Sequence, residues 1–275
     1  MDIKYLCPYW GQENLGAALF IDKVVQAKYN GIEINFPALA DFKIETSKKL
    51  QSIRDQDPSF IFVAQSVPTV AFKDVDECIA NTEKQLLQLA TLNPNFINAH
   101  TGKDFFSFDD NCRVIESTLN ISNKTGVRIV HETHRGRFSF HLATLVRYLE
   151  KFPELELTGD FSHFCVVSES LLEDQENLLR QIIPHIVHLH ARVGSSQAPQ
   201  VNNPMAPEWA ETLNCYTQWW RSVIDYRTKK GDSLFTVTPE FGPAPYMPTL
   251  PFSQQPIADQ WACNLFMTSH LYNAL

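Results

Sequence analysis

Apolar residues fall into short β-rich runs, each followed by a longer stretch in which they recur every three or four positions. The runs are IKYLCPY (3–9), GIEINF (31–36), FIFVAQS (60–66), FINAHTG (96–102), VRIVHET (127–133), LELTGDF (155–161), IVHLHARV (186–193) and LFTVTPEF (234–241). The intervening segments predict helices such as GAALFIDKVVQAKY (16–29), DVDECIANTEKQLLQLATL (74–92), HLATLVRYLEKF (141–152) and ESLLEDQENLLRQIIPHI (169–186). In the third, Leu142, Leu145, Val146 and Leu149 keep the spacing of one apolar helix face. Gly31 and Gly126 stand where a helix should stop before the next strand.

Eight strand–helix units over 275 residues predict an α/β chain folded as a (β/α)8 TIM barrel, one domain spanning 1–275. A doubly wound sheet is the competing architecture, but the turn after the first strand, CPYWGQENLG, lacks the GxGxxG pattern. Two long connections follow the last two strands, VGSSQAPQVNNPMAPEW (193–209) and the proline-rich GPAPYMPTLPFSQQP (242–256). Loops of that length are often functional.

Barrels of this kind place their chemistry at the downstream ends of the strands. Titratable and polar residues recur there: Gln65, His100, Glu132 with His134, Asp160 with His163, His188 with His190 and Arg192, and Glu240. Strand alternation puts His188, His190 and Arg192 on one face, and Glu132 with His134 on another. Glu132, Asp160, His190 and Glu240 are therefore expected to converge at the barrel mouth. Three carboxylates brought together need a compensating charge, and a single divalent cation is the simplest one. Three oxygen donors and one nitrogen suit Mn²⁺, Mg²⁺ or Co²⁺ ahead of Zn²⁺.

Each residue also has a plainer reading. His188 fits a buried core histidine, His131 has the parity of the helix-facing side, and Asp160 can cap the segment that follows it. Glu240 can be a solvated loop residue. HETH is not the HExxH of zinc proteases, which needs a helix.

The motifs ETHRGR, GDFSH, HLHAR and PEFGP, each at a strand end, resemble the xylose isomerase-like TIM-barrel superfamily of sugar isomerases, ketose 3-epimerases, inosose dehydratases and endonuclease IV-type nucleases. The resemblance implies that Glu132, Asp160, His190 and Glu240 hold one divalent metal, with Glu132 and Glu240 doubling as acid/base groups. It implies substrate contacts at His163, His100 and Arg192, with His188, Gln65 and His134 as further candidates. Three departures limit it. His134 replaces the lysine that xylose isomerases carry two residues after the strand-five glutamate. Gln65 stands where the nucleases place a histidine, and Phe138 where the epimerases have a further acid.

The expected activity is metal-dependent isomerisation or epimerisation of a sugar or polyol, by proton transfer through an enediolate held by the metal. Breaking the adjacent C–O bond instead would give an inosose-type dehydration. A nuclease acting at abasic DNA is the alternative from another class. Against it stands a net charge of −8, which opposes binding to nucleic acid or an anionic membrane surface. Arg135, Arg137 and Arg192 can either grip a substrate carboxylate or phosphate or form ion pairs with neighbouring loops. Trp10, Phe36, Trp209 and Tyr246 are candidate pocket walls. No apolar run spans a membrane, the start MDIKYLCPYWG has no leader pattern, and the six cysteines form no CxxC pair. A cytoplasmic location with reduced thiols is the expectation, and a homo-oligomer is suggested by analogy with similar barrels.

Overall fold

A computed structural model describes residues 1–68 and 71–275. Eight parallel strands hydrogen-bond in sequence order and close into a barrel. They are β1 (Asp2–Pro8), β2 (Gly31–Asn35), β3 (Ile61–Ser66), β4 (Phe96–Ala99), β5 (Ile129–Glu132), β6 (Leu157–Gly159), β7 (Ile186–His190) and β8 (Leu234–Thr238). Between them run α1 (Ala17–Gln26), α2 (Ala40–Gln56), α3 (Val75–Ala90), α4 (Phe108–Thr125), α5 (Leu142–Lys151), α6 (Phe161–Ser168), α7 (Glu176–Ile182) and α8 (Ala210–Lys230), and α9 (Gln260–Ala274) closes the chain. Contacts concentrate within two units: Leu6–Glu132 with Gly136–Ser139, and Met1–Tyr5 with Thr133–Arg135 and Phe140–Leu275.

In the first of these units, β2 to β5 are short and buried almost throughout, as strands covered on both sides must be. Gly31 is not a helix stop; it opens β2 beside β3, where a Cβ would come within 2.3 Å of the Ile61 carbonyl oxygen. Gly126 does close α4, in the left-handed conformation at φ 71°. Helix starts carry their own caps. Asp74 accepts from the Glu77 amide while Glu77 reaches back to the Lys73 amide, a reciprocal box at the head of α3. Ser107 does the same work for α4 through the Asp110 amide.

In the second unit, Leu142, Leu145, Val146 and Leu149 are buried on α5, as their spacing predicts. The segment 155–161 is strand only over Leu157–Gly159, because Asp160 caps α6 and Phe161 is already helical. The single helix expected over 169–186 is absent. Glu169 and Leu172 adopt φ of 50° and 62°, so the chain turns there and Leu172 enters the core from a bend. A shorter α7 and a 3-10 turn at Ile183–His185 then lead into β7. Apolar spacing persists through this segment, but backbone sterics decide against helix.

His131 projects as its parity requires. Its Nδ1 lies 2.8 Å from Thr101 Oγ1, and its ring meets Phe138 edge-on. Burial pushes its pKa down from 6.5 to about 4. The unfolded chain therefore binds a proton that the folded chain refuses. This contribution is complete above about pH 6.5 and is lost as pH falls through about 4, amounting to at most about 3 kcal/mol. Urea unfolding of His131→Phe should show a correspondingly weaker loss of stability across that window. An unchanged pH dependence would contradict the buried, neutral assignment.

Candidate functional site

The strand ends of the second unit carry a dense charged network. Asp160, at the N-terminus of α6, divides its carboxylate between two tasks. Oδ1 accepts from the Ser162 amide at 2.9 Å and from Ser162 Oγ at 2.6 Å, which caps the helix. Oδ2 pairs with the Arg192 guanidinium. Helix capping and ion pairing are thus simultaneous, one oxygen each. Arg192 is 1% exposed and also lies 2.8 Å from His163 Nε2 and 3.5 Å from Glu240 Oε2. Glu240 Oε2 meets His190 Nδ1 at 2.9 Å. The solvated-loop reading of Glu240 therefore gives way: the residue is 5% exposed and held in a charge network.

A ring of aromatic and imidazole groups surrounds this network. His163 stacks on His134 with centroids 3.8 Å apart, and His134 Nε2 lies 3.4 Å from the Tyr246 hydroxyl. Tyr246 carries the guanidiniums of Arg135 and Arg192 at 5.2 and 4.8 Å from its ring centroid. Burial pushes the Tyr246 hydroxyl pKa up, so it stays a neutral donor. His188 is a fully buried core imidazole, with Nδ1 2.7 Å from Thr236 Oγ1 and Nε2 3.3 Å from Thr238 Oγ1.

In the other unit, Glu132 ends β5 and is buried. Asn98 Nδ2 donates both to Glu132 Oε2 at 3.1 Å and to Glu33 Oε1 at 3.0 Å. His100 Nε2 reaches Glu132 Oε2 at 2.9 Å and is only part-buried. Gln65 is buried on β3, in register with Asn98. Arg137 has Lys103 and Cys78 as electrostatic neighbours. Phe36 packs on Phe42 and Phe62, and the Trp209 indole donates to Asn202, so these two aromatics have structural work.

Among the described residues, buried His, Asp and Glu side chains that could help hold a metal ion include Asp160, His188, His190 and Glu240 in one unit, and Glu33 and Glu132 in the other. The sequence reading singled out neither Glu33 nor Asn98, although each is a polar residue inside an apolar run.

Other positioning residues had no sequence signal. Thr133 Oγ1 donates to the Asp160 carbonyl at 2.9 Å and accepts from the Asp160 amide at 2.8 Å, fixing the chain after β5 to the Asp160 backbone. Beyond Glu240, Asn264 of α9 accepts from the Phe241 amide at 2.8 Å and donates to its carbonyl at 3.0 Å. Gln200 makes the equivalent pair with Gly242, at 2.7 and 3.1 Å. The long loop after β7 and α9 thereby brace the backbone that presents Glu240.

No family model matches the chain, and no curated protein sequence matches it. Solved structures do. A xylose isomerase domain-containing protein from Salmonella typhimurium superposes with a TM-score of 0.65 at 11% identity, over 99% of this chain and 98% of that one. A xylose isomerase-like TIM-barrel protein from Mycobacterium smegmatis, in complex with magnesium, gives 0.62 at 11% identity, over 99% and 97%. The 3-keto-D-glucoside 4-epimerase of E. coli gives 0.61 at 12% identity, over 99% and 100%. The chain thus shares the (β/α)8 TIM-barrel fold of these structures.

Replacing Asn264 by Ala strands the buried Phe241 amide, while the carbonyl keeps Gln260 Nε2 at 2.7 Å. It should cost about 1–3 kcal/mol in urea unfolding; a variant as stable as the parent would show that the brace carries no weight.

Proposed function

We propose that the protein is a metal-dependent isomerase or epimerase of a small carbohydrate or polyol, with Glu132, Asp160, His190 and Glu240 holding one divalent cation. The observation that carries this reading is the buried cluster of Asp160, His190 and Glu240 at the strand ends of one unit, gathered around Arg192 and each able to offer a ligand atom. Its charge supports a cation: two buried carboxylates, Asp160 and Glu240, share one buried guanidinium, Arg192. Burying excess charge is costly, and a bound cation offsets it. Oxygen-rich donors favour Mg²⁺, Mn²⁺ or Co²⁺, and one of the similar structures is a magnesium complex.

Such an ion supplies Lewis-acid polarisation of a substrate carbonyl, which acidifies the neighbouring C–H. The chain's own residues then handle the proton. Glu132 and Glu240 are the bases available to take it. His100 Nε2, in contact with Glu132 Oε2 and part-buried, can relay a proton between that carboxylate and the mouth. His190 Nδ1 orients Glu240 through Oε2. His163 Nε2 accepts from Arg192 and its ring lies against His134, so it orients that guanidinium. Returning the proton to the adjacent carbon isomerises the substrate; returning it to the opposite face epimerises it. The similarity to a 3-keto-D-glucoside 4-epimerase is compatible with the second outcome.

Incubation with Mn²⁺ and a panel of ketoses in D₂O tests the reading. Deuterium should enter at the carbon beside the carbonyl. Glu132→Gln and Glu240→Gln should each lower the exchange rate by about 10²–10⁴-fold. Full exchange in either variant removes that residue from the acid/base role, and incision of an abasic duplex without any exchange would favour a nuclease.

Arg192 supplies a separate check. Its charge opposes a cation at Asp160 and Glu240, so Arg192→Gln should bind Mn²⁺ at least about tenfold more tightly by calorimetry. The same variant's metal-free form should lose about 3 kcal/mol or more, because the buried carboxylates lose their counter-charge. Unchanged or weaker Mn²⁺ binding would contradict the charge balance.

A further inference from the structure

We infer that Arg135 and Tyr246 form a subsite for a carboxylate carried by the substrate, so that the substrate is an acidic sugar derivative rather than a neutral one. The inference rests on the proposed metal centre and deepens it by naming the substrate class. Its starting point is a difference between two arginines that share one aromatic ring. Arg192 is buried and committed to Asp160 and Glu240. Arg135 is half-buried, and among the described residues its side chain makes no ion pair and no hydrogen bond. Its recorded contact is the face of Tyr246, at 5.2 Å.

That leaves one uncommitted guanidinium beside a network whose other charges are paired. Asp160 and Glu240 of this unit both lie against Arg192, whereas among the described residues no carboxylate pairs with Arg135. A substrate carboxylate completes the balance and matches the planar fork of a guanidinium. A phosphate dianion would bring a second negative charge for which this unit offers no second uncommitted arginine.

The mount is also rigid, unlike that of an arginine on a solvated loop. Thr133 is fixed to the Asp160 backbone through both its hydroxyl hydrogen and its oxygen. The His134 ring contacts the Arg135 carbonyl through Nδ1. Gly136 then turns the chain at φ 76°. Tyr246 holds the guanidinium from the other side by cation–π attraction. Arg135 is therefore kept close to the groups that would handle the substrate, through a chain of contacts running Tyr246, His134, His163, Arg192.

The experiment is calorimetric binding of erythronate and gluconate, their matched polyols erythritol and glucitol, and glycerol 3-phosphate to the Mn²⁺-loaded protein. At least one aldonate should bind about tenfold or more tighter than its polyol. Arg135→Gln should abolish that preference, and Arg135→Lys should keep part of it. Mn²⁺ titration of each variant comes first, so that failure to bind metal, which would sink the proposed centre, is distinct from failure to select acids. Equal binding of aldonates and polyols, no binding of any aldonate, or a preference that survives in Arg135→Gln overturns the inference. Glycerol 3-phosphate binding tighter than both aldonates also overturns it, in favour of a phosphate.

Discussion

Negative charge buried at strand ends is the constraint around which this molecule is organised. Glu132, Asp160 and Glu240 are each at most 5% exposed, so water cannot screen them. Arg192 answers part of that charge from within the chain. Other polar groups lie on the same carboxylates: Asn98 donates to Glu132 and Ser162 to Asp160, His100 Nε2 lies 2.9 Å from Glu132 Oε2, and His190 Nδ1 lies 2.9 Å from Glu240 Oε2.

Holding like charges together requires a stiff frame, and the fold provides it through side chains that grip backbone. Thr133 fastens the end of β5 to Asp160, while Asn264 and Gln200 grip the residues after Glu240. These clamps come from α9, from the long loop after β7 and from the strand end itself. Loop length here serves rigidity: the extended connections reach across to brace a neighbour. That arrangement is consistent with the general division in such barrels between a structural sheet and a functional rim of loops.

Much of this was legible in the sequence because two periodicities carry it. Alternation within strands located the eight β segments and assigned His131 and His190 to opposite sides. The recurrence of titratable residues at strand ends singled out Glu132, Asp160, His190 and Glu240, all of which are buried. Other features were hidden for physical reasons. Glu33 and Asn98 sit mid-strand, where polar residues read as noise in an apolar run. Thr133, Gln200 and Asn264 act on backbone distant in sequence, and no local pattern records such a partner. The stretch 169–186 misled because its apolar spacing continues through Glu169 and Leu172, both of which leave the helical region.

The central claim is that one cation is shared by four side chains drawn from four strand ends. Anomalous scattering from crystals equilibrated with Mn²⁺ tests it most directly. The account predicts a single strong peak within bonding distance of Glu132, Asp160, His190 and Glu240 together. A protein that takes up no Mn²⁺, or a peak bound by other residues while Arg192 stays on Asp160, would contradict it.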